Sequence, residues 1–230
     1  MASAVAVVLA GGAARRLGGV HKPALEVGGE PIIGRVLRAV QQAGLAAVVV
    51  GRPVGVPCGI PVWREDPPGG GPVVAVREGL RHLPEATGGA ADDVADDVAV
   101  VVLLAADLPF VTAATLERLL SAVAEDPSAD LAVYVDQGGR PQWLCSAWRV
   151  TALRARLADG GAPGGIRGLA QGLRRRELAD PDGAASTDVD TREDLLAARV
   201  RSGHGRGPDA AAVRVGDHAE PQAGSGPAGG

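Results

Sequence analysis

Residues 4–23 read AVAVVLAGGAARRLGGVHKP, an apolar run that ends in a glycine pair and continues into basic residues. The apolar run is rich in valine, which is typical of a strand buried on both faces of a parallel sheet. Gly11 and Gly12 allow positive φ angles and a close approach of backbone N–H groups to an anion. Arg16 and Lys22 add cations. Because open α/β sheets bind ligands at the carboxyl ends of their strands, the stretch predicts a phosphate-binding loop.

The loop matches neither of two common phosphate-binding motifs. Pro23 follows Lys22 where the sequence G-x-x-x-x-G-K-[ST] requires serine or threonine, and there is no G-x-G-x-x-G. We therefore expect neither a Walker loop nor a Rossmann dinucleotide site. A tight turn that carries surface arginines is the alternative interpretation.

Residues 9–33, LAGGAARRLGGVHKPALEVGGEPII, resemble the signature of the MobA-like nucleotidyltransferases, roughly LAGGxxRRMGxxKxLLxxxGxPL. The stretch is most similar to the molybdenum cofactor guanylyltransferases of that family, with Leu17 in place of the usual methionine. The resemblance implies that Arg16 and Lys22 act on the triphosphate and are catalytic together with Asp107. It implies a nucleotide site formed by Leu9, Ala10, Gly11, Gly12, Arg16, Gly19, Lys22, Asp66 and Asp107.

Asp66 enters that set because Glu65-Asp66 resembles the family's E-D element near the base and ribose of the nucleotide. The pair lies before a segment rich in proline and glycine. A turn or helix-cap carboxylate is the alternative interpretation of Asp66.

Asp107 follows the most hydrophobic run of the chain, VAVVVLLA at 98–105, and Pro109 then stops the strand. A carboxylate at this edge of the sheet is costly to leave unpaired, whereas Mg²⁺ shared with substrate phosphates would compensate its charge. The resembled family has a C-D-x-P element whose aspartate binds Mg²⁺. The alternative is a helix cap, although Thr112 is the better cap for the helix that follows.

The segment 186–195, STDVDTREDL, resembles the family's closing motif, which is N-x-N-T-P-E-D-L or D-V-D-T-P-E-D-L. Thr191 and Asp194 have the spacing of a capping box. The resemblance implies that Asp188 binds the metal with Asp107, and that Asp190 either lies on the acceptor side or only turns the chain.

Two further residues are assigned to the acceptor side by the same resemblance, Gln142 and Arg167. Trp143 beside Gln142 is either a pocket residue or a core residue. The run 174–176, RRR, is interpreted as a solvated helix end rather than an anion site.

The composition limits the classes of protein to consider. The 230 residues fit one α/β domain, and because aromatic residues make up only 2%, its core must consist of Val, Leu and Ala. A net charge of −4 argues against sequence-independent binding of nucleic acid, which needs an excess of basic residues. Cys58 and Cys145, the only cysteines, predict free thiols. The first apolar run is too short to span a membrane and has no secretory pattern, so we expect a cytoplasmic protein without a membrane partner.

The periodicity predicts a single three-layer α/β domain with a mostly parallel, Rossmann-like sheet and helices on both faces, and the resemblance implies the nucleotide-diphospho-sugar transferase type. The predicted strands are 4–10, 46–50, 60–63, 98–105, 130–135 and 141–147, the last two forming a hairpin or a mixed-sheet edge. The predicted helices are 31–43, one that begins at Pro72, 112–124, 150–157 and 166–173. The domain should cover 1–200, followed by a disordered tail of Gly, Pro and Ala at 201–230.

These residues favour nucleotidyl transfer, in which the terminal phosphate of an acceptor attacks the α-phosphorus of a nucleoside triphosphate. A phosphate monoester is already ionised near neutral pH, so no Ser-His pair is needed. The resemblance implies Mg²⁺, GTP and molybdenum-molybdopterin, with transient contacts to cofactor-synthesis or acceptor enzymes. Cytidylyl or other nucleotidyl transfer, and a non-catalytic nucleotide-binding regulator, are the alternatives.

Overall fold

The computed structural model describes residues 3–11, 21–83, 98–159 and 164–203. The strands are β1 (Ser3–Ala10), β2 (Glu26–Val27), β3 (Glu30–Pro31), β4 (Ala46–Gly51), β5 (Val62–Trp63), β6 (Val98–Ala105), β7 (Leu131–Val135), β8 (Pro141–Arg149) and β9 (Arg175–Ala179). The helices are α1 (Ile32–Gln42), α2 (Pro72–Arg81), α3 (Ala113–Glu125), α4 (Val150–Ala158), α5 (Ile166–Leu169) and α6 (Arg192–Arg201), with a 3-10 turn at Lys22–Ala24.

Seven strands form one sheet in the order β5-β4-β1-β6-β8-β7-β9, and β2 and β3 form a separate antiparallel pair. Within the sheet β1 lies parallel to β4 and β6, β4 to β5, and β7 to β9. Only β8 among these strands runs antiparallel, and it pairs with both β6 and β7. The predicted mostly parallel sheet is therefore confirmed. The predicted hairpin of the fifth and sixth strands is also present, but β8 lies inside the sheet and not at its edge.

The sheet is covered by helices on both faces, which explains why its central strands are continuously apolar. Along β1, Val7 packs with α2 and α4, whereas the next residue, Val8, packs with α1 and α3. A Cβ on Gly79 would lie only 2.5 Å from Cγ1 of Val7, so glycine is what allows α2 to lie close to β1. Side chains on both faces of the strand are thus buried, so the sequence shows no alternation of apolar and polar residues.

Two predicted elements have other boundaries in the structure. The helix predicted at 166–173 ends at Leu169. Arg175 and Arg176 begin β9 instead of ending a helix, and the interpretation of the arginine run was wrong in this respect. This edge strand carries exposed, mostly polar side chains, so it has none of the apolar periodicity by which strands are recognised. Pairing with β7 holds it in place, together with a hydrogen bond from Arg174 N to Asp130 Oδ2 at 2.9 Å.

Helix α6 continues through Arg201, one residue into the segment predicted as a tail, and 204–230 lie outside the described residues. Cys58 is an exposed free thiol and Cys145 a buried one, as predicted. In the part of the chain that the structure describes, no helix is both long and apolar enough to cross a membrane.

Candidate active site

The carboxyl ends of β1, β4 and β6 meet at one edge of the sheet. Leu9 is paired in register with Ala105, and Ala106 N donates to Leu9 O at 3.1 Å. Gly51 ends β4 with a φ of 147°, and a Cβ there would lie 2.4 Å from the carbonyl carbon of Ala10. The start of the glycine loop is therefore held directly beside the segment that carries Asp107.

A cavity of about 420 Å³ opens at this edge, and several residues singled out from the sequence line it. Asp107 comes from the end of β6, Gln142 and Trp143 from the start of β8, Arg167 from α5, and Asp188 from the segment before α6. Five residues from four separate segments thus share one space. The cavity lies within the size range of small-molecule sites, which is about 300–1,000 Å³.

Electrostatic repulsion between carboxylates marks this cavity. Burial raises the pKa of Asp107 to about 6, and the negative charge of Asp188 contributes to the rise. Partial burial also raises the pKa of Asp188, as does the nearby charge of Asp190. Lys22 lowers the pKa of Asp107 and of Asp188, so its ammonium lies within range of both. A cation is what such a group of carboxylates is suited to bind.

The capping alternative for Asp107 is contradicted by the structure. Helix α3 is capped by Thr112, whose hydroxyl oxygen accepts from Thr115 N at 3.3 Å, while Thr115 Oγ1 accepts from Thr112 N. Asp107 is therefore free of that role and remains half-buried at the edge of the cavity.

No group of three or more His, Cys, Asp or Glu side chains is placed to hold a metal ion among the residues that the structure describes. The predicted metal ligands Asp107 and Asp188 are two carboxylates that line the same cavity. Mg²⁺ is commonly bound by one or two carboxylates and completes its shell with water and substrate phosphates, so two carboxylates fit this ion.

Lys22 and Asp190 form an ion pair, which joins the residue after the glycine loop to the segment before α6. Asp190 was predicted on the acceptor side, yet its observed partner is Lys22, and it does not belong to the described lining of the cavity. Thr191 and Asp194 form the predicted capping box, since the Thr191 side chain accepts from Asp194 N at 3.1 Å. The same box fixes the backbone at Asp190, whose N–H donates to Asp194 Oδ2 at 3.1 Å.

The residues predicted on the acceptor side differ in how firmly they are held. Gln142 Nε2 donates to Asp136 Oδ2 at 3.2 Å and to Arg140 O at 3.1 Å, so its amide is occupied by the β7–β8 turn. Arg167 is exposed to the cavity. Trp143 is half-buried, with the guanidinium of Arg175 6.0 Å from the centre of its ring, and it combines the pocket and core interpretations.

Asp66 is exposed on a bend and does not line the described part of the cavity. Its neighbour Glu65 approaches the loop more closely: Glu65 Oε1 lies 3.7 Å from where a Cβ on Gly11 would stand, and it accepts from Gly69 N at 3.1 Å. Glu65 was not among the predicted site residues, although it belongs to the same E-D dipeptide. The role of Asp66 at the nucleotide stays a prediction.

Three residues of the predicted site, Gly12, Arg16 and Gly19, lie outside the described residues. Their roles also stay predictions. Leu9 and Ala10 are buried at the end of β1, so only their backbone groups are placed to meet a ligand.

Another cavity, of about 460 Å³, lies between α1, α3 and the segment after β9. Its lining includes Arg35, Arg118 and Arg201, and it contains none of the residues that the sequence analysis placed at the nucleotide, metal or acceptor sites. The cavity beside Asp107 is therefore the candidate active site.

Comparison with known proteins finds relatives that span most of the chain. The family model of the MobA-like NTP transferase domain matches residues 6–175. A protein of Acidiphilium cryptum named molybdenum cofactor guanylyltransferase is 32% identical over 202 residues, covering 85% of this chain and 93% of the relative. A protein of the same name from Cereibacter sphaeroides is 31% identical over 198 residues, covering 84% and 93%. The crystal structure of molybdopterin-guanine dinucleotide biosynthesis protein A from Archaeoglobus fulgidus superposes with a TM-score of 0.63 at 20% identity, over 86% of this chain and 98% of the other, which shows a shared fold.

Proposed function

The chain belongs to the MobA-like NTP transferase family and is a nucleotidyltransferase, and we propose that it transfers GMP from GTP to the terminal phosphate of molybdenum-molybdopterin. Pyrophosphate is the leaving group and the guanine dinucleotide form of the cofactor is the product. The observation that carries this choice of substrates is the 32% identity to a relative named molybdenum cofactor guanylyltransferase, over 85% of the chain. We expect the reaction to take place in the cytoplasm, with transient contacts to enzymes that make or receive the cofactor.

The side chains at the cavity suit a reaction that needs positioning and charge stabilisation more than a base. The attacking phosphate monoester is ionised at neutral pH, so the acceptor brings its own nucleophile. Lys22 and Arg16 bind the triphosphate, together with the N–H groups of Gly11 and Gly12. They stabilise the negative charge that develops on the leaving pyrophosphate.

Asp107 and Asp188 would hold Mg²⁺ in this proposal. When bound, the ion would polarise the reacting phosphate and compensate the charge of both carboxylates. Burial and the charge of Asp188 raise the pKa of Asp107, so its ionised form is destabilised. A bound cation would stabilise that form, which supports this role. Arg167 and Gln142 also line the cavity, and in this proposal they orient the acceptor.

The test is pyrophosphate release from GTP, CTP, UTP or ATP, each with and without molybdenum-molybdopterin. We expect release with GTP only when the acceptor is present. Selective release with CTP, or with another phosphorylated acceptor, would contradict the proposal. It would favour the alternative of cytidylyl or other nucleotidyl transfer. Nucleotide-dependent thermal stabilisation without any turnover would instead favour a regulator.

A further inference from the structure

Lys22 is the only lysine of the chain, since the other 22 of its 23 basic residues are arginine. An ammonium is a compact charge whose three donors point in different directions, whereas a guanidinium is a flat fork. Here one cation must contact both a carboxylate and the oxygens of a second anion. An ammonium suits this task better than a guanidinium. The one position with lysine is also one of those that the family resemblance implies at the triphosphate.

The ion pair of Lys22 with Asp190 joins two segments that are themselves fixed. Lys22 begins the 3-10 turn, and its side chain is only 19% exposed. Asp190 is held from the other side, because Asp194 Oδ2 accepts from Asp190 N at 3.1 Å and from Thr191 N at 2.7 Å. Helix α6 in turn is tied to β2 by a hydrogen bond from Arg199 Nε to the carbonyl oxygen at the start of that strand, at 3.0 Å. The ammonium is therefore held in one place before any ligand arrives.

The charges of two nearby carboxylates explain why the position of the Lys22 ammonium must be fixed. Lys22 interacts electrostatically with Asp107 and with Asp188, the two carboxylates proposed to bind the metal. Without Asp190 the flexible lysine side chain would be drawn towards that pair, where it would compete with a metal ion. Asp190 takes one of the three N–H donors and leaves two for phosphate oxygens.

We infer that Asp190 is a positioning residue for Lys22, which keeps the ammonium away from Asp107 and Asp188 and orients it towards the phosphates of the nucleotide. The inference rests on the proposed function only for the identity of that anion. It reassigns Asp190, which the sequence analysis placed on the acceptor side.

A single lysine gives this inference a readout that does not depend on turnover. With ¹³C- and ¹⁵N-labelled lysine in the full chain, NMR reports the side chain of Lys22 alone. In Asp190→Asn, which keeps the shape of the side chain, the ε-CH₂ resonance should move towards the position of free lysine, and in Asp190→Glu it should return part of the way. Asp159→Asn is the matched control, because Asp159 forms an ion pair with Arg156 at 3.3 Å and neither residue lines the described part of the cavity. An unchanged Lys22 resonance in Asp190→Asn would overturn the inference.

Binding of GTP supplies the second readout, measured by calorimetry in the presence of a chelator so that no metal contributes. We expect Asp190→Asn to weaken the binding of GTP and of inorganic pyrophosphate by about three- to tenfold. The variant should also raise the KM for GTP by a larger factor than that by which it lowers kcat. Asp190→Glu should recover part of the loss. If Asp190→Asn leaves GTP affinity unchanged and raises only the KM of the acceptor, Asp190 is an acceptor contact and the inference fails. If the wild-type protein shows no turnover with GTP and molybdenum-molybdopterin, the proposed substrates fail, while the Lys22 resonance still decides the role of Asp190.

Discussion

The carboxylates of Asp107 and Asp188 reach the same cavity from the end of β6 and from the segment before α6, and the charge of Asp188 helps to raise the pKa of Asp107. Neither residue has its side chain in a helix cap: α3 is capped by Thr112 and α6 by Thr191. Two partly buried carboxylates that cap neither of these helices, at the edge where the glycine loop begins, are the feature from which the proposed chemistry follows.

Asp107→Asn should abolish Mg²⁺-dependent turnover while the protein stays folded, because the amide keeps the shape of the side chain but loses its charge. We expect a fall in kcat of at least about a hundredfold, comparable to the removal of one main electrostatic group from an active site. Pyrophosphate release and circular dichroism of the variant check the two halves of this prediction. Asp159→Asn, at an exposed ion pair, is the control and should match the wild type. Loss of the folded state in Asp107→Asn would show instead that the carboxylate is structural.

The same carboxylate should make the metal-free protein less stable as the pH rises. Its pKa is about 6 in the folded state against an ordinary value of 3.8, so the folded protein binds this proton more tightly than the unfolded chain. The free energy of unfolding should therefore fall by about 1–3 kcal/mol, from this group alone, as the pH rises from about 4 to about 6. It should stay at the lower value above pH 6.

Urea unfolding at pH 4.5 and 7.5 with a chelator measures this effect. Asp107→Asn should be the more stable protein at pH 7.5, and its stability should depend less on pH than that of the wild type. An identical change with pH in both proteins would show that Asp107 is not the group responsible.

Two capping boxes of similar geometry allow the role of α6 to be separated from general stability. Thr112→Ala and Thr191→Ala each remove an N-cap side chain and should each lower the free energy of unfolding by about 1 kcal/mol. Only Thr191→Ala should also weaken GTP binding, since the box at α6 fixes the backbone of Asp190, the partner of Lys22. Equal GTP affinities in the two variants would argue against a link from α6 to the nucleotide.

Arg167→Ala should separate the acceptor from the nucleotide. Arg167 is exposed to the cavity from the first turn of α5, on the wall formed with the start of β8. We expect the KM of the acceptor to rise about tenfold while GTP affinity stays within about twofold of the wild type, a loss close to 1.4 kcal/mol for the acceptor alone. Arg81→Ala serves as the control, because its side chain is 63% exposed at the end of α2 and does not line the described part of the cavity. A fall in GTP affinity in Arg167→Ala would place the arginine on the nucleotide side.

Much of the fold could be predicted because its central strands are buried on both faces. The runs 4–10 and 98–105 are apolar without interruption, and the observed β1 and β6 match them closely. Strand β9 was missed because an exposed edge strand carries no such pattern, and its position depends on pairing with β7. The position of β8 inside the sheet likewise depends on long-range pairing that no local pattern records.

The candidate site could be predicted in part for a related reason. Asp107 follows a buried strand directly, so the end of that strand locates it. The pairing of Lys22 with Asp190 depends on how α6 folds back against β2, which the motif at 186–195 alone does not show. Glu65 was not predicted because its approach to Gly11 depends on the turn in which Glu65 Oε1 accepts from Gly69 N, and the sequence does not show that turn.

The fate of the α-phosphorus of GTP decides whether GMP moves from GTP to a molybdenum-molybdopterin phosphate. With GTP labelled at the α-phosphorus, molybdenum-molybdopterin and Mg²⁺, we expect the label to appear in a guanine dinucleotide product, one label for each pyrophosphate released. Label that stays in GTP, or that appears as free GMP without a dinucleotide, would contradict it.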